Sequence, residues 1–383
     1  MIAKNIYGEN FEEIKSKFAK ATADARQSDG QGFAPTLAIV FCSVVQNRKD
    51  LVTFFNEQKV DVFGSTTAGE IVDSEVMEQS TVIMLLNINK EHYKIFTEES
   101  ADTYKVSNDM AVFAKKTFAN PSIIVVSAGL TIDAEQIIKG VHDLDNTLPL
   151  FGGLAGDDLT MKASYVFSNN YESSNGIIAL IIDNDKINVQ GIATSGWDNI
   201  GIEKTITKSA GNVVYTIDDE PAVDVFVNYF QFTDSVDDTA QIIAQNFAQY
   251  PLQLKKENGN VVLRAPLMVD IESRALIFAG GIPQGSKVKF SVPPGFDLIE
   301  KTTERISEIK THIPEADAMI MFSCKARHMA LGPMTGDEAD RIRGIWNKPL
   351  IGFFTYGEIG CAKDNSCEFH NESCSMVVLK EKN

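Results

Sequence analysis

Phe63-Gly64-Ser65-Thr66-Thr67-Ala68-Gly69-Glu70-Ile71 is written a second time near the far end of the chain. There it reads Gly352-Phe353-Phe354-Thr355-Tyr356-Gly357-Glu358-Ile359, with the same spacing from first glycine to second glycine, then Glu and Ile. A looser third copy, Phe151-Gly152-Gly153-Leu154-Ala155-Gly156-Asp157-Asp158, lies between them. Each copy leaves a short apolar run, passes glycines and small residues, and ends in a carboxylate. Glycines so placed suit a backbone that turns sharply or is approached closely. The stretch is therefore a candidate site and also a candidate structural turn.

The flanking residues repeat with it. Leu37 to Cys42, Ile123 to Val126 and Ala318 to Phe322 are continuous apolar runs, the pattern of strands covered on both faces. A helical pattern follows each: a short one with Leu51, Phe54 and Phe55, one over Ala134 to Leu144, and one over Ala339 to Trp346. Val60 to Phe63, Pro149 to Phe151 and Pro349 to Phe353 then lead into the three acidic bends. Thr81 to Leu86, Ile177 to Ile182 and Met376 to Leu379 close the units as strands. Three units of strand, helix, strand, glycine loop and strand point to internal duplication.

Elsewhere, Asn10 with Glu13 forms a capping-box pattern ahead of a helix over about residues 10–27. Asp218-Asp219-Glu220-Pro221 marks a boundary, with Pro at the first position of a helix carrying Val223, Phe226, Val227 and Phe230. A helix over residues 237–247, strands at Val261–Ala265, Ala275–Phe278 and Val288–Val292, and a helix over roughly 297–312 follow. The expected fold class is α/β: mixed β-sheets covered by helices, built from repeated units in two related domains.

The chain has 383 residues, 44% hydrophobic and 23% charged, enough for a sizeable core. A formal charge of −17 repels phosphate backbones and anionic lipid, so neither nucleic acid nor membrane is an expected partner. Met1-Ile2-Ala3-Lys4 opens no apolar signal core, and five scattered cysteines read as reduced thiols. The expected location is the cytoplasm.

Five stretches together resemble the FIST family, named for F-box and intracellular signal transduction proteins. They are Phe63 to Glu70, Leu150 to Asp157, Glu220-Pro221-Ala222-Val223-Asp224-Val225, Phe322-Ser323-Cys324-Lys325-Ala326-Arg327, and Gly352 to Ile359 followed by Phe369-His370-Asn371. The resemblance implies a stand-alone, bacterial-type member: an N-terminal helix and loop over residues 1–34, a FIST N-terminal domain over 35–219 and a FIST C-terminal domain over 220–383. It further implies a sensory module, not an enzyme, that binds a small ligand such as an amino acid between its domains. Histidine kinases, chemotaxis receptors and cyclic-di-GMP enzymes are the implied partners. Some members are described as haem-binding nitric-oxide sensors, which makes haem the alternative cofactor to none.

The ligand-binding residues expected on this reading are Thr66, Thr67, Gly69, Glu70, Gly152, Gly153, Asp157, Cys324, Arg327, Thr355, Tyr356, Gly357, Glu358 and Asn371. Glu70 and Glu358 would meet a ligand ammonium, hold an arginine, or cap backbone amides in a turn. Arg327 would hold a ligand carboxylate through its fork, or pair with Glu358. Cys324 has Lys325, Arg327 and His328 beside it, and nearby cations favour a reactive thiolate; a Cys-dependent enzyme is the third function to weigh. Asp157 and Asp158 with Glu70 would supply oxygen ligands to a hard cation if their geometry brings them together. Were haem or a metal held, His370, His328, Cys361, Cys367 and Cys374 are the ligands to consider, although the cysteine spacing matches no zinc ribbon or finger. Nucleotide-binding, serine-hydrolase and zinc-protease motifs are absent, and bends that end in acid repel phosphate.

Overall fold

A computed structural model describes residues 1–23, 33–231, 249–256, 259–292, 295, 297–361 and 366–382. The fold is mixed α/β, as the sequence leads one to expect. Three six-stranded sheets share one strand order. The first runs Ile2–Gly8, Thr81–Asn87, Leu37–Cys42, Asp61–Thr66, then the hairpin Val166–Ser168 and Tyr171–Ser173. The second runs Tyr93–Glu99, Gly176–Asp183, Pro121–Ser127, Leu150–Leu154, then Glu358–Cys361 and Cys367–His370. The third runs Ile187–Thr194, Cys374–Glu381, Ala318–Cys324, Leu350–Thr355, then Glu70–Val72 and Glu75–Met77.

In each sheet the third and fourth strands are parallel and every other pairing is antiparallel. Parallel neighbours need a crossover. Arg48–Glu57 supplies it in the first sheet, Ala134–His142 in the second, and Lys325–Leu331 with Thr335–Trp346 in the third. The terminal hairpin of each sheet is borrowed. The hairpin after the first bend joins the third sheet, that after the second bend joins the first, and that after the third bend joins the second. The exchange closes on itself, so the three bends are drawn together where the sheets meet. The third sheet takes strands from both sides of residue 220.

All residues of Leu37–Cys42, Pro121–Ser127 and Ala318–Cys324 are buried, which explains their unbroken apolar runs. Phe41 of the first sheet packs against Phe353 of the third, ring centroids 4.6 Å apart, and Phe322 lies 5.6 Å from Phe353. The capping box holds: the Glu13 amide donates to Asn10 Oδ1 at 3.1 Å, and Phe11–Ala23 follows as helix. The rest of that helix's expected span, 24–27, and the helix expected over 237–247 lie outside the described residues.

A fourth, eight-stranded sheet is built within residues 199–291. Helix Ala222–Phe230 covers it, with Phe226 5.0 Å from Phe290 between ring centroids. Fully buried Arg264 ties this sheet to the second one. It donates to Glu135 Oε1 at 2.5 Å and to the Phe369 carbonyl at 3.0 Å. Strands Ile2–Gly8, Tyr93–Glu99 and Ile187–Thr194, and helix Thr103–Thr117, go beyond the sequence expectation. The strands lie where one face is open and apolar residues are interrupted, so no continuous run marks them.

Candidate functional site

The three bends interlock through their backbones. Phe354 N donates to Gly69 O at 2.8 Å and Ala68 N to Phe354 O at 3.0 Å, joining the third bend to the first. Gly156 N donates to Thr66 O at 3.1 Å and Asp158 N to Thr67 O at 3.0 Å, joining the second to the first. Leu154 N donates to Gly357 O at 2.8 Å and Tyr356 N to Leu154 O at 3.1 Å, closing the ring. Gly69 and Gly357 take φ of +116° and +153°, a region that disfavours side chains, and a Cβ on Gly357 would stand 2.4 Å from the Phe369 ring. Gly152 and Gly153 lie in the second sheet, where they pair with Ile359 and Glu358.

Two of the bends build the same niche. Thr67 Oγ1 donates to Glu70 Oε1, and Ser80 donates to Glu70 Oε2 from its hydroxyl at 2.7 Å and its amide at 3.1 Å. Thr355 Oγ1 donates to Glu358 Oε1, and Ser373 donates to Glu358 Oε2 from its hydroxyl at 2.7 Å and its amide at 3.3 Å. Both carboxyls are fully buried. Burial raises Glu70 to about 7 and Glu358 to about 8, against the opposing pull of their threonine and serine partners. Among the described residues neither glutamate holds an arginine; the amide-capping alternative matches what each carboxyl does. The serines escaped the sequence reading, although each immediately precedes a closing strand, as Ser80-Thr81 and Ser373-Cys374.

The second bend differs. Asp157 accepts from the Tyr356 hydroxyl at 2.5 Å, Thr160 Oγ1 at 2.8 Å, and the amides of Lys162, Met161 and Ala163 at 2.6, 3.2 and 3.2 Å. Burial alone would push this carboxyl up, but those donors outweigh it and leave its pKa below the ordinary value. Thr66 Oγ1 donates to the Gly156 carbonyl at 2.7 Å and accepts from Tyr165 N at 2.8 Å. The hydrogen-bonding capacity of the expected ligand contacts is thus largely met within the chain.

Arg327 is fully buried, and its fork holds Glu338, not Glu358: Nη2 lies 2.5 Å from Oε1, and Nε lies 3.1 Å from Oε2. It also donates to the Ser195 carbonyl and to Thr302 Oγ1 at 2.7 Å. The guanidinium expected for a ligand carboxylate already has an internal one. Cys324 is no thiolate. Burial first, then the nearby Glu358 and Glu372, push its thiol well up, and the Arg327 charge goes to Glu338. Glu372 is fully buried in the left-handed region, with no hydrogen bond to its carboxyl oxygens among the described residues. Burial and then Glu358 push its pKa up as well, against the pull of Arg327.

The expectation of five reduced thiols is corrected. Cys361 and Cys367, directly opposite in the hairpin, form a disulfide; Cys42, Cys324 and Cys374 are free and buried. Two of the cysteines named for a metal are therefore spent on each other. No group of three or more His, Cys, Asp or Glu is placed to hold a metal ion among the described residues. His370 is brought down to about 4, by burial and then by Arg264. Asn371 turns its Nδ2 to the His370 carbonyl at 3.1 Å.

Solvent reaches the junction at Asp158, Lys325, His328 and Tyr356, each partly exposed. Asp158 accepts from Ser43 Oγ at 2.5 Å, and burial raises its pKa. The His328 ring stacks on Phe354, centroids 4.0 Å apart, and its Nδ1 lies 3.1 Å from Lys325 Nζ. Lys325 lies 3.8 Å from Glu78 Oε1. Asp158, Leu159 and Met161 all have φ in the left-handed region without being glycine, at 55°, 62° and 53°. Such strain gathers at functional sites. In the sequence Lys325 stands out only as a neighbour of Cys324, and Asp158 only as an oxygen donor for a hard cation. A hollow of about 480 Å³ lies elsewhere, lined by Asp61, Lys90, Tyr93 and Asn169 among others.

Comparison with known proteins agrees with this architecture. The family model for the FIST N domain matches residues 36–220, and that for the FIST C domain matches 222–361. An uncharacterized protein of Methanocaldococcus jannaschii is 24% identical over 278 residues, covering 65% of this chain and 52% of its own. The chain thus spans about half the length of that relative. No helix among the described residues is long and apolar enough to cross a membrane.

Proposed function

Because the chain belongs to the FIST family, we propose that it is a sensory signal-transduction module whose small ligand sits over the junction of the three bends. The interlocked backbone ring carries this reading: a contact made at its mouth, the partly exposed patch of Asp158, Lys325, His328 and Tyr356, touches groups from all three sheets at once. Asp158 comes from the second bend and accepts from Ser43 of the first unit. Tyr356 comes from the third bend, and Lys325 from the crossover helix of the third unit. Asp158 is the group for a ligand ammonium, so an amino acid or similar amine-bearing metabolite is the class to try. Occupancy signals only if it favours one arrangement of the sheets over another. The relay would run through the borrowed hairpins to a histidine kinase, chemotaxis receptor or cyclic-di-GMP enzyme. Binding, not turnover, is the proposed activity, and the three similar units are proposed to descend from one duplicated ancestor.

A thermal-shift screen of amino acids, amines, metals and haem against the purified chain tests this, since a ligand that binds only the native state raises the melting point. The expected result is an amine-bearing hit weakened by about tenfold or more in Asp158→Asn, as losing a hydrogen bond to a charged group implies. A screen without hits, or a hit indifferent to Asp158→Asn, removes the proposed site. A Soret band on haem loading that His370→Ala or His328→Ala abolishes would move the reading to a haem gas sensor.

A further inference from the structure

We propose that Lys325 is a nucleophilic lysine that captures small neutral aldehydes as a Schiff base, with His328 as its proton acceptor. Lys325 Nζ and His328 Nδ1 stand 3.1 Å apart, within hydrogen-bond reach. The imidazole is fixed by a third group, the Phe354 ring stacked 4.0 Å away at 16°. A nucleophile, a base in contact and a group that orients the base make up the arrangement by which weak nucleophiles are activated. The Lys325 side chain keeps 12% of its accessible surface, enough for a small electrophile to reach the amine while most of the stem is buried.

The surroundings set the charge on both partners. Burial lowers Lys325, against the pull of Glu78 and Asp158, and so raises the share of free amine. Burial and then Lys325 bring His328 down to about 4, so the ring is a neutral acceptor. Glu70, Glu78 and Asp158 all act on Lys325. They repel 2-oxo acids, which leaves uncharged carbonyl compounds as the class that enters. The amine nitrogen adds to the carbonyl carbon, the C=O π pair moves to oxygen, and the ammonium proton passes through His328 to that oxygen. Loss of water then leaves the C=N bond, and no oxidant or reductant is consumed.

This is a separate chemistry at the mouth described above, and it rests on that mouth being open to small molecules. The test is to treat the intact protein with propanal and cyanoborohydride and follow propylation of each lysine by peptide mass spectrometry. Lys325 should be labelled at least roughly tenfold faster than exposed Lys49 and Lys255, since a base in contact contributes on the order of 100-fold to such a proton transfer. His328→Gln should slow labelling at Lys325 by about 100-fold while leaving Lys49 and Lys255 unchanged, with an unaltered melting point as the check that the variant is folded. Labelling of Lys325 at the surface rate, or at an undiminished rate in His328→Gln, overturns the proposal. Ordinary labelling alongside a thermal-shift hit would leave the small-ligand reading standing; rapid labelling without any hit would do the reverse.

Discussion

Tyr356 donates its hydroxyl to Asp157 Oδ1 at 2.5 Å, joining residues 199 positions apart. The same oxygen accepts from the amides of Asp157 and Leu159 at 3.3 and 2.9 Å. One side chain of the third bend thus holds both the carboxylate of the second bend and the strained loop that follows it. Tyr356→Phe should cost about 1–3 kcal/mol, because it leaves a charged acceptor and two backbone amides short of a partner. Urea unfolding reads the loss, and amide exchange should quicken over residues 157–163. A change below about 0.5 kcal/mol, the range of an ordinary surface substitution, would show that the contact does not hold the bends together.

Arg327 and Glu338 form an ion pair with no exposure on either side. Breaking one partner of such a pair strands a buried charge, and Arg327→Met should cost about 3–5 kcal/mol. Arg327→Met combined with Glu338→Leu should regain much of that, because neither residue then carries charge into the core. Denaturant midpoints of the two variants decide the matter: a double variant no better than the single one would mean that packing, not stranded charge, dominates.

The pH dependence of stability should slope downwards through neutrality. Glu70 and Glu358 have folded values of about 7 and about 8, above the ordinary 4.5. Between those limits the folded chain keeps protons that the unfolded chain has released, so their stabilisation is complete below 4.5 and lost as pH rises through 7 and 8. Midpoints in urea between about pH 5 and pH 8 should fall for the native protein. Glu70→Gln and Glu358→Gln should flatten that slope, since glutamine keeps the neutral shape without titrating. Parallel curves for native and variant proteins would rule out these carboxyls as its source.

The Cys361–Cys367 disulfide should be visible chemically. Unfolded without reductant, the chain should present three titratable thiols, and with reductant all five. Replacing both cysteines by serine should cost about 2 kcal/mol, the chain-entropy estimate for so short a loop. Exchange should also quicken in strands Leu252–Lys255 and Val261–Arg264, because Arg264 docks on the Phe369 carbonyl of the same hairpin. Five thiols without reductant would refute the pairing outright.

Much of the local structure was legible in the sequence. The three central strands announced themselves as unbroken apolar runs because both their faces are covered. The helix at Phe11 was marked by its capping box, and the acidic bends by glycines where the backbone leaves the common regions. The repeat marks the bends as equivalent, but not that they meet or through which atoms. Ser80 and Ser373 are ordinary residues at strand starts, and only their position against Glu70 and Glu358 gives them a role. In the sequence Lys325 is a neighbour of Cys324; in space it meets His328 and Glu78.

By itself, then, the sequence determined the central strands of the three units, most helices, the repeated acidic bends and the family, because periodicity, caps and glycine spacing act over a few residues. Tertiary structure alone decided which sheet each hairpin joins, that Arg327 takes Glu338, that Cys361 meets Cys367, and which carboxyls lose their water. Those outcomes depend on which free strand edge and which buried partner lie close in space, and residues up to hundreds of positions apart carry no local trace of that proximity.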